Sequence, residues 1–194
     1  MKALDPITRL PSAPSFFLAL ELAATDAQLT GDRLSVLVVD ADEFDELRER
    51  EGDDAADASL DLIGKVLRLA LGPQAVLARL MGDQFGVMLR HTGIEQAHAR
   101  AEGLRRAIEL GFMSHQRRLT VSIGVACGPS QGDWTGQQMI GLAGRRREMA
   151  RTAGGNRVHS HGHPGLAHAQ HAQWPAFGGD DDGALPTNEQ LTLF

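Results

Sequence analysis

Two acidic positions in this sequence stand where they could do chemistry. Asp83 lies in Leu77-Ala78-Arg79-Leu80-Met81-Gly82-Asp83-Gln84-Phe85-Gly86-Val87-Met88-Leu89, two apolar runs broken by Met81-Gly82-Asp83-Gln84. Apolar run, short polar break with a Gly, apolar run reads as a β-hairpin. Asp83 then rides on the tip, beside a glycine that lets a ligand approach the backbone closely. An acid so placed can be a metal ligand. A lone Gly-Asp pair is equally what an ordinary turn contains. The second acid lies upstream. Val36-Leu37-Val38-Val39-Asp40-Ala41-Asp42-Glu43-Phe44 reads as a buried strand ending in carboxylates. If that strand neighbours the hairpin, Asp40 and Asp83 come side by side.

Alternating elements must position these acids. A helix is expected over residues 12–28, with Phe16, Phe17, Leu20 and Ala24 on one face. Gly31-Asp32 turns the chain into a strand at 34–40. A short helix follows at 44–50. A longer one is capped by Asp54 and striped with Leu60, Ile63, Leu67 and Leu71. Gly72-Pro73 stops it. The hairpin spans about 75–90. Thr92-Gly93 leads a helix at 94–110, a strand covers 118–126, and a last helix covers 136–153. The βααββαβ order predicts an α/β fold, a mixed and mainly antiparallel sheet with helices against it.

Five stretches together resemble the GGDEF family, the diguanylate cyclases. Asp5-Pro6-Ile7-Thr8-Arg9-Leu10-Pro11-Ser12-Ala13-Pro14-Ser15-Phe16 resembles the family's entry motif, Asp-x-Leu-Thr-Gly-Leu-Pro-Asn-Arg-Arg-x-Phe. Asp40-Ala41-Asp42-Glu43-Phe44-Asp45 resembles Asp-Ile-Asp-x-Phe-Lys. Met81-Gly82-Asp83-Gln84-Phe85 stands for Gly-Gly-Asp/Glu-Glu-Phe. Thr120-Val121-Ser122-Ile123-Gly124-Val125-Ala126 repeats a family strand, and the run from Ala150 to Val158 resembles its usual finish, Ala-Lys-x-x-Gly-Arg-Asn-x-Val. The resemblance covers roughly residues 4–158 and implies the α/β sandwich shared with polymerase palms and class III nucleotide cyclases. It implies an activity joining two GTP molecules, one on each domain of a homodimer, with Mg²⁺ bridging phosphate oxygens.

The same resemblance assigns roles. Asp40, the Ala41 carbonyl and Asp83 fall at the metal positions. Glu43, Phe44 and Asp45 supply backbone N–H groups to phosphates, with Gly82 at the hairpin tip. Arg48 and Asp57 fall at the guanine-reading positions, and Arg151 at a phosphate contact. Several positions depart from the pattern. Gln84 replaces the signature's second acid, and a neutral amide cannot act as a base. Met81 replaces a Gly, Asp45 a Lys, Arg48 an Asn, and Gly155 an Arg. Arg147-Glu148 stands for Leu-Tyr. The product-inhibition motif, Arg-x-x-Asp, would fall at Gly72-Pro73-Gln74-Ala75 and is absent. The expectation is a degenerate GGDEF domain with weak or no cyclase activity, acting as a regulatory GTP/Mg-binding or protein-binding module. The alternative is an active cyclase with a non-standard signature.

The remaining features set bounds. The chain has 194 residues, 42% hydrophobic, which suits one domain with an appendage. Residues 1–158 are expected to form it, with no sensor domain ahead of residue 1. A net charge of −6 gives no electrostatic case for direct nucleic-acid or membrane binding. Cys127 is the one cysteine, expected as a small core residue in a reducing cytoplasm. No apolar run nears the ~20 residues of a membrane span. Residues 159–189 hold His159, His161, His163, His168 and His171 among Gly, Ala, Gln and Asp. That composition predicts a disordered tether. The chain ends Gln190-Leu191-Thr192-Leu193-Phe194. This resembles the peptide by which bacterial polymerases dock on the replication sliding clamp. Gln190 would meet a pocket rim while Leu191, Leu193 and Phe194 fill apolar pockets.

Overall fold

A computed structural model describes residues 4–114, 118–128 and 134–160. The expected tail from residue 161 onward and its terminal peptide lie outside the described residues; the first two positions assigned to the tail belong to the domain, since His159 closes β5 and Ser160 is buried. The elements run α1 (Ala13–Thr30), β1 (Leu34–Ala41), α2 (Phe44–Glu51), α3 (Asp53–Leu71), β2 (Ala75–Met81), β3 (Gln84–Arg90), α4 (Ile94–Ser114), β4 (Val121–Cys127), α5 (Gly136–Thr152) and β5 (Arg157–His159). The sheet order is β2-β3-β1-β4-β5. β1 pairs antiparallel with β3 and β4, and β5 lies parallel to β4. The α/β fold, mixed and mainly antiparallel, is as expected.

β1 explains the layering. All eight of its residues are buried, because helices cover both sheet faces. Side chains alternate along a strand. Leu37 and Val39 therefore pack with Leu60, Ile63, Leu67, Leu104 and Ile108, beneath α3 and α4. Val36 and Val38 pack with Phe16, Leu20, Met139 and Ala143, beneath α1 and α5. Asp40 comes two residues after Val38 and so faces the α1/α5 layer. Gln84 lies opposite Asp40 in the β1–β3 register, and Ser122 opposite it in the β1–β4 register.

Two glycines set how closely helices approach this layer. A Cβ on Gly86 would stand 2.9 Å from the Phe16 ring of α1. A Cβ on Gly124 would collide with the Ala143 carbonyl and the Arg147 backbone nitrogen. α5 thus rests directly on β4, with Arg147 over the sheet.

Several boundaries differ from the sequence reading. Gly52, not Asp54, occupies the α3 N-cap. Asp53 and Asp54 fall in the first helical turn, where acids still suit the helix dipole. The α5 start is held by a Thr135–Gln138 capping box, and Glu21 accepts from the Gly136 and Gln137 N–H groups at 3.0 and 2.7 Å. β4 begins at Val121, three residues later than expected, although Leu119 is buried. β5 adds a short fifth strand. Cys127 closes β4 and is half-buried rather than enclosed. Among the described residues no helix is long and apolar enough to cross a membrane.

Gly124→Ala is expected to cost about 3 kcal/mol or more, because the clash is with helix backbone that cannot rotate away. Urea denaturation of the two proteins measures this; equal midpoints would contradict the close packing of α5 on β4.

Candidate functional site

The hairpin tip is fixed before any ligand arrives. Gly82 takes φ 59° at the first loop position, as a tight primed turn requires. Its carbonyl accepts from Arg79 Nε at 2.9 Å, and Arg79 Nη1 reaches Asp5 Oδ2 at 3.0 Å. Asp5 Oδ1 accepts from the Thr8 N–H and hydroxyl at 2.7 and 2.8 Å. The entry segment, β2 and the tip are therefore one unit. Met81 projects from it and is 59% exposed.

Asp40 is 6% exposed. Its Oδ2 accepts from Gln84 Nε2 at 2.8 Å and lies 3.2 Å from Arg147 Nη1 of α5. Burial pushes its carboxyl up to about 6, and the neighbouring Asp83 charge pushes the same way. Arg147 and Gln84 pull against that rise. Asp83 is also raised, by burial first and by the Asp45 charge. The structure thus brings Asp40, Asp83 and Gln84 together, as the strand pairing implies. It adds Arg147, a partner the sequence reading did not place there.

Arg147 continues into a ladder along α5. Its Nη1 lies 2.9 Å from Glu148 Oε2. Arg151 Nη2 lies 2.9 Å from Glu148 Oε1, with Nε 3.3 Å from Oε2. The hydrogen bond from Arg151 holds the Glu148 carboxyl below its ordinary range. Arg151, expected at a phosphate, is engaged within its own helix. Gln84 Oε1 and Arg147 Nε are buried without a hydrogen-bond partner among the described residues.

The other expected residues surround this cluster. The Ala41 residue is buried. Glu43 stands at the α2 N-cap with φ 56°, turning the chain so that α2's first N–H groups follow the strand end. Phe44 is buried, and the Arg48 guanidinium sits 5.0 Å from its ring centroid. Arg48 also lies 3.6 Å from Asp45 and 4.0 Å from Asp53. It is drawn back onto its own surroundings. Asp57 is exposed near the start of α3.

Sequence reading also missed Asp42. Its carboxylate accepts from Thr120 Oγ1 at 2.7 Å, Ser122 Oγ at 2.6 Å and the Asn156 N–H at 2.8 Å. A Cβ on Gly155 would stand 3.0 Å from it. Asp42 therefore ties the turn after α5 to β1 and β4. The available signal was the pairing of Asp42 with an Asn156 turn and two hydroxyls on one strand.

A central β1 with an acidic end, a hairpin beside it and helices on both faces define an α/β sandwich domain with its acids gathered at one end of the sheet. The GGDEF domain of FimX from Pseudomonas aeruginosa superposes with a TM-score of 0.74 at 23% identity, over 81% of this chain and 99% of that one. The GGDEF domain of DgcB from Caulobacter crescentus, solved with c-di-GMP, gives 0.74 at 21% identity, over 80% and 94%. The profile of the family described as diguanylate cyclase, GGDEF domain, matches residues 2–157, and the chain belongs to that family. Relatives include diguanylate cyclase DgcP of Pseudomonas aeruginosa, 30% identical over 79% of this chain and 23% of DgcP. The cyclic di-GMP phosphodiesterase NbdA of the same organism is 26% identical over 80% of this chain and 20% of NbdA. The chain spans about a fifth to a quarter of the length of these relatives.

The raised Asp40 carboxyl has a testable sign. Between its ordinary 3.8 and about 6 the folded protein holds a proton that the unfolded chain has released. Stability from this group therefore falls as pH rises through that window. Asp40→Asn is expected to flatten the fall between pH 4 and 7 by about 2–3 kcal/mol, read from urea denaturation at several pH values. Parallel profiles for the two proteins would contradict it.

Proposed function

We propose that this GGDEF domain makes little or no cyclic di-GMP and acts as a regulatory, protein-binding module. The observation that carries the reading is the double engagement of Asp40 Oδ2 by Gln84 and Arg147. The family's chemistry joins two GTP molecules with Mg²⁺. Mg²⁺ prefers a near-octahedral shell of oxygens. Here the buried carboxylate oxygen already faces an amide N–H and a guanidinium, and a divalent cation beside it would meet positive charge. The residues as arranged do not fit the ion at Asp40, and no step is routed through it.

Further support comes from the rim. Asp45 puts a negative charge where phosphate would come, and Arg48 is held by Phe44, Asp45 and Asp53. Gln84 supplies no base. The competing reading, an active cyclase with a non-standard signature, draws on the retained Asp40, Asp83 and Asp57. GTP, with Arg151 and the α2 N–H groups at its phosphates, and a second facing copy are the ligand and assembly that reading uses.

For the protein-binding role we assign residues 1–160 as the body, 161–189 as the tether and Gln190, Leu191, Leu193 and Phe194 as a sliding-clamp docking peptide, in the cytoplasm. A short apolar triad beside a glutamine, on a polar tether, is the sequence feature that supports this.

Incubation with GTP and Mg²⁺, followed by product chromatography, is expected to give about 100-fold less cyclic di-GMP, or lower still, than an active GGDEF domain. Gln84→Glu with Met81→Gly is expected to recover little, because Asp45, Arg48 and Arg147 remain. Robust product from the natural chain would overturn the reading. Separately, the full chain is expected to bind a bacterial sliding clamp, and a chain ending at Glu189 to lose that binding. Equal behaviour of the two forms would remove the docking role.

A further inference from the structure

We infer that Arg147 is the resident counter-cation of this site: together with Gln84 it occupies the Asp40 carboxylate in place of a divalent cation, and so excludes one. This deepens the reading above and rests on it for its setting.

Charge and geometry carry the inference. Asp40 is buried and the neighbouring acid Asp83 half-buried, and a buried charge beside a like charge requires a compensating cation. Arg147 supplies it at 3.2 Å, with side-chain exposure of 15% against 8% for Asp40. The guanidinium suits this place, being weakly hydrated and permanently charged. A Mg²⁺ ion must shed tightly held water to enter. Covalent attachment adds a further advantage, since a cation carried by the chain itself competes at high effective concentration.

Helix packing and two acids hold Arg147 in this position. Its backbone nitrogen lies against Gly124, where no Cβ would fit. Its Nη1 is shared between Asp40 and Glu148, and Arg151 holds Glu148 from the other side. Gln84 completes the exclusion. Its amide points the N–H end at Asp40, leaving Oε1 buried without a partner among the described residues. The two ends of an amide can exchange by rotation. With the guanidinium removed, Gln84 can turn Oε1 toward the acids and become an oxygen ligand beside Asp40 and Asp83.

The test is titration with Mn²⁺ alone, following free Mn²⁺ by electron paramagnetic resonance, with no nucleotide present. The natural chain is expected to show no saturable site that depends on Asp40. Arg147→Met keeps the aliphatic stem and removes the charge; it is expected to bind Mn²⁺ at least about 10-fold more tightly. Adding Asp40→Asn to that variant is expected to abolish the gain. Arg147→Lys retains a cation and is expected to stay closed, which separates charge from packing. Should Arg147→Met fail to fold, Arg147→Gln, with a neutral polar head, takes its place. A folded neutral variant with no gain overturns the inference. So does saturable binding by the natural chain that Asp40→Asn removes. Such binding in a chain that makes no cyclic di-GMP sinks this inference and leaves the functional proposal on Gln84, Asp45 and Arg48, whereas cyclic di-GMP synthesis sinks both.

Discussion

A carboxylate at the end of a strand buried on both faces has to be compensated, and the site is built around that need. β1 has no face left for water. Its parity sends Val36, Val38 and Asp40 into the layer beneath α1 and α5, so the charge must find its partners there. Gln84 comes from the neighbouring strand by register. Arg147 comes from α5, and it can do so because Gly124 lets the helix lie directly on β4. Three separate elements thus meet at one oxygen.

This arrangement separates two things that a signature motif usually joins. The acids that define the strand end and hairpin tip are present, and so is the fold that positions them. Their charge is balanced from within the chain, by an arginine whose other contacts run along its own helix. Arg151 and Arg48 follow the same pattern, each held by an adjacent acid. The cations around the site are turned toward the protein's own carboxylates.

Much of this was legible in the sequence, because alternation and helical stripes report burial directly. β1, the hairpin and the Leu60–Ile63–Leu67–Leu71 face follow from periodicity, and the order of elements implies a mixed sheet with helices against it, although the short β5 did not show. Asp40 beside the hairpin tip follows from strand adjacency. Arg147 did not follow. Its substitution was visible, yet only the depth of the Gly124 contact reveals that α5 brings it within reach of Asp40. Asp42 escaped for a related reason, since its partners lie 78 to 114 positions away in the chain. The α3 cap was misplaced because Asp53 and Asp54 both suit a helix start, and Gly52 supplies the backbone turn instead.

The Asp5–Arg79–Gly82 connection carries one more consequence. Two hydrogen-bonded steps link the turn at Asp5–Thr8 to the hairpin tip, through a single guanidinium that is largely buried. The opening turn and the tip are therefore joined by side-chain contacts that bypass the core. Whatever orders the entry segment also orders the loop that carries Asp83.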